Sequence, residues 1–575
     1  MKNLPLLLFG LIFILFATTA SAQVSQQARN FQIDSTHTGA SSENLVPPLK
    51  QRWVRNFGQS ISYPLIADGK VFVTVRNAGG GTTLHALDSA NGTTIWSFVL
   101  GGSFSWSAAC YESGRVFAVN ASGFLRAFDG ATGAVIWSVQ LPNQFSFSAP
   151  PSVREGVIYL SGAGSGGTLY AVNASSGALI WTRSVVNGDK SSPAVTSDGV
   201  YVSYSCPNVY KFDPATGTQI WFSTTGCSGG GGKTPALYNN RLYVRDFSDT
   251  IFDSATGTII GNFNAKNTPA FSGDKGFFLN GPHSFGTFGV LEARDVNTNN
   301  VLWTFSGDGF LQSAVLVVNN YVYVGSSQGK LYAVDAASGQ QVWETIAGTS
   351  IPLVDEQNVS QPLTSFAAGE GMLVVPTSST LVAYDSDITP PTLTFGNPTP
   401  ARNAAGWNNT PVDISYTTAD DLSGVQSASP VSPLHFVADG ANQTQQVTVT
   451  DRAGNSATFT SPAINLDLTK PVVTATASPA TANKNPRPVN VTISGNASDA
   501  LSGVSSASFN VIDEYGVTQP SGAVTVQANG NYSFTLTLPA TKNGNDKDGH
   551  LYTIVVRAFD QAGNSATGTA TFRVN

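Results

Sequence analysis

Few residues in this chain stand at spacings that do chemistry. Gly226-Cys-Ser-Gly-Gly-Gly-Gly232-Lys233-Thr234 comes nearest to a phosphate-binding loop. Such a loop works because glycine amides and the start of a following helix point N–H groups at the anion. Here Cys227 stands where the spacing requires Gly, and Pro235-Ala-Leu-Tyr-Asn-Asn-Arg-Leu-Tyr-Val reads as a turn and a strand. The segment is read as an inter-strand loop without phosphate chemistry. The five histidines (His37, His85, His283, His435, His550) show no metal-ligand spacing and no Ser or Asp partner in a motif, so solvated or locally bonded rings are expected. The three cysteines include no CxxC to hold zinc or attach haem. Oxygen ligands are better represented. Asp420-Asp421-Leu-Ser-Gly424-Val is followed by Asp451-Arg-Ala-Gly454-Asn455, and Asp499-Ala-Leu-Ser-Gly503-Val by Asp560-Gln-Ala-Gly563-Asn564. Asp420, Asp421, Asp451 and Asn455, and likewise Asp499, Asp560 and Asn564, could surround calcium, which takes carboxylate and amide oxygens. Turn-forming Asp and Asn explain the same residues without a metal.

The elements that must position these residues are strands. The chain has 575 residues, 41% of them hydrophobic and only 11% charged, against about 25% in ordinary soluble domains. Its 57 glycines and 30 prolines punctuate many short elements, which points to an all-β chain. A net charge of −7 without a basic run leaves no footprint for nucleic acid. Residues 1–22 carry Lys2, the apolar run Leu6 to Phe16 and Ala20-Ser21-Ala22, and read as a bacterial signal peptide. The run is too short to span a bilayer, and no second apolar segment of spanning length follows. The expected product is exported, with no transmembrane segment. It would be extracellular, cell-surface or periplasmic, in an oxidising compartment. Gln23 follows the cut with no Cys nearby to accept a lipid.

A period of about 40 residues organises the chain from 47 to 387. Leu84-His-Ala-Leu-Asp88-Ser-Ala-Asn-Gly92-Thr-Thr-Ile-Trp96 recurs as Leu125-Arg-Ala-Phe-Asp129-Gly-Ala-Thr-Gly133-Ala-Val-Ile-Trp137, and again up to Trp181, Trp221 and Trp343. Two copies are degenerate: one has Gly261 for Trp, and the next has Asn299 for Gly but keeps Trp303. An eighth copy at Ala383-Tyr-Asp385 stops before its Trp, while Trp53 lacks the strands before it. In each unit the Asp or Asn bonds the turn it begins, the Gly takes φ > 0, and the next strand carries the Trp. Roughly four short strands per unit make a propeller blade. The segment around Trp53 is expected to complete the unit ending at Asp385, giving eight blades closed by the N-terminal strand. The pattern Ala-x-Asp-x-x-x-Gly-x-x-x-Trp resembles the tryptophan-docking motif of the quinoprotein alcohol dehydrogenase-like β-propellers. That resemblance implies that Trp53, Trp96, Trp137, Trp181, Trp221, Trp303 and Trp343 are sandwiched between neighbouring blades.

The dehydrogenases of that family hold pyrroloquinoline quinone (PQQ) at the ring axis with calcium, and many set a vicinal Cys-Cys against it. This chain has no such pair, and none of its six propeller glutamates is assignable as the calcium ligand. No catalytic or cofactor-binding residue and no cofactor is therefore expected, with PQQ and calcium as the alternative the resemblance implies. Beyond Asp387 the period stops, and alternating strands resemble bacterial immunoglobulin-like modules at 388–468 and 469–575. Residues 23–46 are left as a leader. In an exported chain, Cys206 and Cys227 stand 21 residues apart in one repeat and are expected to form a disulfide, with Cys110 a buried small hydrophobe. The expected function is non-catalytic binding or scaffolding, with the propeller on an immunoglobulin-like stalk. Its partner would be an unknown protein or carbohydrate of the cell surface or envelope, and the chain a monomer. The alternatives are a PQQ-dependent dehydrogenase and an envelope assembly factor, a role one propeller of this family fills as a lipoprotein.

Overall fold

The computed structural model describes residues 26–102, 104–206, 208–224, 231–245, 249–282, 286–421 and 423–575. The signal segment, Cys227, His283 and most of the glycine-rich loop lie outside them. Among the described residues every regular element is a strand. The chain divides into two compact units, 1–387 and 388–575.

Among its described residues the first unit holds eight sheets. Seven have four strands, and one has a fifth. One sheet shows how the sequence makes them. Ala194–Val195, Val200–Tyr204, Asn208–Phe212 and Gln219–Ser223 pair antiparallel in chain order. The first three are wholly buried and read as near-continuous apolar runs. The fourth has one side open and is more exposed along its length. The turn before it is closed by Asp213, which accepts the Thr216 N–H and hydroxyl, and by Gly217 at φ 69°. In the last sheet, Leu49–Asn56 pairs with Thr380–Ser386 beside Met372–Pro376 and Ala367–Gly369, setting Trp53 opposite Ala383. An N-terminal strand thus completes the sheet that the end of the repeat region leaves unfinished.

Tryptophans join sheet to sheet. The Trp96, Trp137, Trp181 and Trp221 indoles donate to the carbonyls of Gly130, Ala174, Pro214 and Ser254, each in the Asp/Asn turn of the following sheet. Trp53 and Trp303 make the same bond to Ser89 and Ala336. Each of these six rings lies over the turn glycine of that sheet. A Cβ added to Gly133 or Gly217 would come within 2.6 Å of it. Trp343 packs edge-on against Tyr384.

The second unit has two hydrophobic cores. One gathers Val412, Ile414, Leu434, Phe436, Val447 and Val449. The other gathers Val491, Ile493, Tyr552, Ile554, Val556 and Phe572, beneath a five-stranded and a three-stranded sheet. Between the phrases at Asp499 and Asp560, the strand Ser521–Ala523 pairs antiparallel with Val504–Asp513.

Candidate functional site

The first unit converges on its leader. Residues 26–43 make backbone or side-chain bonds to the first strand of every sheet, or to the turn after it. Ala28 exchanges bonds with Ile66, Arg29 accepts from Tyr111, and the Asn30 side chain holds Val153. Ser35 accepts from Val195, Thr36 from Leu237, and Thr38 from Phe271. Ala40–Ser41 runs parallel to Leu316–Val318, and Glu43 accepts from Gly371. The leader contains no period-two pattern, so nothing in its composition signalled this role.

His37 lies at the middle of the leader. Its Nδ1–H donates to the Pro235 carbonyl at 2.9 Å, which leaves Nε2 to accept from the Ser192 and Ser152 hydroxyls at 3.2 and 3.3 Å. Burial lowers its pKa, so the ring is neutral near pH 7. Hydroxyls on an imidazole are the makings of an activated nucleophile. Here, however, all three residues are fully buried, with no face open to a substrate, and the group acts as a strut. The expectation of solvated or locally bonded histidines is corrected at His37, and also at His550, which is buried against Asp513. These partners are 37 to 198 residues away in sequence, beyond what spacing reveals.

A second segment, 349–366, crosses to the opposite sheets. Glu356 accepts the Thr234 N–H at 2.8 Å and pairs with Arg245 at 2.5 Å, both side chains nearly wholly buried. Gln357 bonds Gly232 and Lys190. Val354 and Leu363 join leader residue Phe31 in one core with Tyr63 and Trp106. The cations that could meet an anionic cofactor here are engaged: Arg245 with Glu356, Lys190 with Gln357, and Lys266 with Pro282 and Thr287.

In the second unit, carboxylate oxygens of Asp467, Asp499 and Asp560 lie within 4.8 Å of one another. Asp467 and Asp560 are buried. The bonds they accept come from backbone N–H groups, the Ser502 hydroxyl and the Asn564 amide. Asn564 thus turns its N–H toward Asp560, and also donates to the Asp467 carbonyl. Asp467 was not among the expected ligands. Its signal was the linker phrase Asp467-Leu-Thr-Lys-Pro471, an echo of Asp387-Ile-Thr-Pro-Pro391. In the first copy Asp451 is buried and accepts from Asn455, Asp420 accepts the Gly424 N–H, and Asp421 is exposed. Cys206 is disulfide-bonded and Cys110 is a free buried thiol; Cys227 is outside the described residues.

Residues 79–257 and 248–387 match the PQQ_2 family, described as outer membrane protein assembly factor BamB. Tetrathionate hydrolase of Acidithiobacillus ferrooxidans is 22% identical over 207 residues, 30% of this chain and 40% of that protein. BamB of Yersinia pestis is 24% identical over 145 residues, 23% of this chain and 33% of that protein. The chain thus spans two fifths or less of these relatives' lengths. Among solved structures, quinohemoprotein alcohol dehydrogenase from Comamonas testosteroni aligns with a TM-score of 0.51 at 15% identity, over 66% of this chain and 84% of that one. BamB from Moraxella catarrhalis aligns with a TM-score of 0.46 at 18% identity, over 59% and 98%. At these identities the likeness is one of fold.

Proposed function

Because the chain belongs to the PQQ_2 family of β-propellers, we propose that its first unit is a closed eight-bladed ring that acts by binding protein partners of the cell envelope. It carries out no redox chemistry. The observation that carries this reading is the leader's bonding to every sheet of the unit. In a closed ring the first strands of the blades face the axis, so a leader bonded to the first strand of each sheet, or to the turn after it, would lie on it. The segment with the Arg245–Glu356 pair packs against that leader. PQQ, a planar tricarboxylate, needs a slot and convergent cations; on this reading the axis would hold the chain's own backbone, and the cations near it are already bonded. The exposed loops and outer strands remain as the working surface.

The test is thermal unfolding with PQQ and calcium, together with alcohol- and sugar-dependent dye reduction. A ligand at 100 times its Kd would add about 2.7 kcal/mol. No rise in Tm and no dye reduction are expected; a clear rise with turnover would replace this reading with the dehydrogenase.

Residues 388–468 and 469–575 are read as two immunoglobulin-like modules forming a stalk. Three carboxylates within 4.8 Å, two of them buried, favour a calcium ion at Asp467, Asp499 and Asp560. Burying like charges together is costly without a counter-ion, and calcium takes this oxygen set.

A further inference from the structure

A groove in the second unit carries an inference independent of the propeller. After the strand Thr392–Phe395 the chain folds along the strand Ile464–Leu466, and about 700 Å³ lies between them. That volume is within the range of small-ligand sites, roughly 300–1,000 Å³. Phe395, Pro462 and Ile464 give it an apolar floor, and Asn397, Arg402 and Asn408 line it with polar atoms.

Those polar groups are unspent. Arg402 and the Asn397 side chain make no hydrogen bond or ion pair among the described residues. Arg402 is one of only two basic side chains in 388–468, a stretch with no lysine and six aspartates. Its isolation from carboxylates is therefore not a shortage of partners. The Asn408 Nδ2 donates to the Pro400 carbonyl at 3.0 Å, while its Oδ1 accepts no bond among the described residues and stays open at the groove wall. An acceptor open to the groove can exchange its water for a ligand hydroxyl.

Part of the backbone of the walls is already paired. Gly396 donates to Ser415, Thr399 exchanges bonds with Asp413, and Asn408 donates to Asn465 and accepts from Asp467. A peptide added as a strand needs a continuous free edge, and these bonds interrupt it at Gly396, Thr399 and Asn408. Recognition here falls to a cation, two amides and a ring face.

We propose that this groove binds an acidic saccharide. A uronate carboxylate would take the Arg402 guanidinium, a geometry suited to two parallel N–H bonds. A sugar hydroxyl would donate to Asn408 Oδ1, another would meet the Asn397 amide, and the apolar sugar face would lie on Phe395 and Pro462.

The test is calorimetric titration of the full chain, at low salt, with trigalacturonate, the neutral maltotriose, and a tripeptide with a free carboxylate. Trigalacturonate is expected to bind, and maltotriose at least about tenfold more weakly, as loss of a charged hydrogen bond implies. R402Q should cost trigalacturonate about tenfold with Tm unchanged, while R452Q changes neither. Absence of trigalacturonate binding, equal binding of the tripeptide, or unaltered binding by R402Q would each overturn the proposal.

Discussion

At the scale of residues, the two irregular copies of the repeat are two sides of one contact. Elsewhere a tryptophan of one sheet covers the turn glycine of the next, at 2.6–2.7 Å from where a Cβ would stand. Gly261 occupies the tryptophan position, and opposite it Asn299 occupies the glycine position, at φ 60° with Nδ2 donating to the Asn262 carbonyl at 3.0 Å. With no ring to cover it, the turn needs only a residue that tolerates the left-handed region, and Asn does. Gly261→Trp alone should press a ring onto Asn299 and destabilise by roughly 1–3 kcal/mol. Combined with Asn299→Gly, most of that loss should return, with a coupling of about 0.5–3 kcal/mol in urea unfolding. Strictly additive effects would refute the pairing. Trp181→Ala, which removes a buried ring and its bond to Pro214, should cost about 3–5 kcal/mol.

Among elements, the repeated turns make the first unit sensitive to acid. Threonine hydroxyls and N–H groups hold the carboxyls of Asp129, Asp213 and Asp253 below the usual range, and backbone N–H groups do so at Asp295. A depressed folded-state pKa contributes stability that is present above the unfolded value, near 4, and is lost as pH falls through the folded one. Tm of this unit should therefore drop below about pH 4. A variant with Asp129, Asp213 and Asp253 changed to Asn should drop less steeply, because Asn173 already accepts the same turn bonds without titrating. An unchanged slope would show that other groups govern acid unfolding. The leader is the second element with a measurable role. His37→Ala would orphan the Pro235 carbonyl and leave the Ser152 and Ser192 hydroxyls only each other, at about 1–3 kcal/mol for each group left unpaired. Native-state proteolysis should then cut the leader sooner than in the parent chain.

For the whole molecule, two compact units predict two calorimetric transitions. Calcium should raise one of them, EGTA should reverse the rise, and Asp560→Asn should abolish it while leaving the other transition in place. A calcium-insensitive scan would remove the metal from the proposal. Cys206 is disulfide-bonded, and we place its partner at Cys227. A loop of that length stabilises by roughly 3 kcal/mol, so reduction should lower one transition only. Non-reducing peptide mapping that finds Cys227 as a free thiol would reject the pairing.

How much was legible divides along the line between local and distant physics. Strand alternation, the Asp-to-Gly turn and the Trp four residues on are written within about a dozen residues, because pleat and turn geometry depend on immediate neighbours. The repeat, the docking tryptophans, the all-β class and the pairing of Leu49–Asn56 with Thr380–Ser386 could therefore be read from residue types alone. The path of the leader could not. Its bonds run from backbone to backbone across up to about 340 residues, and a backbone N–H carries no mark of its partner. The same holds for Glu356, 111 residues from Arg245, and for Asp467, which reaches Asp499 and Asp560 only when three separate loops meet. Residue type and spacing determined which strands and turns form; tertiary packing, which brings distant backbone into hydrogen-bond range, decided where the leader runs and which carboxylates share a site.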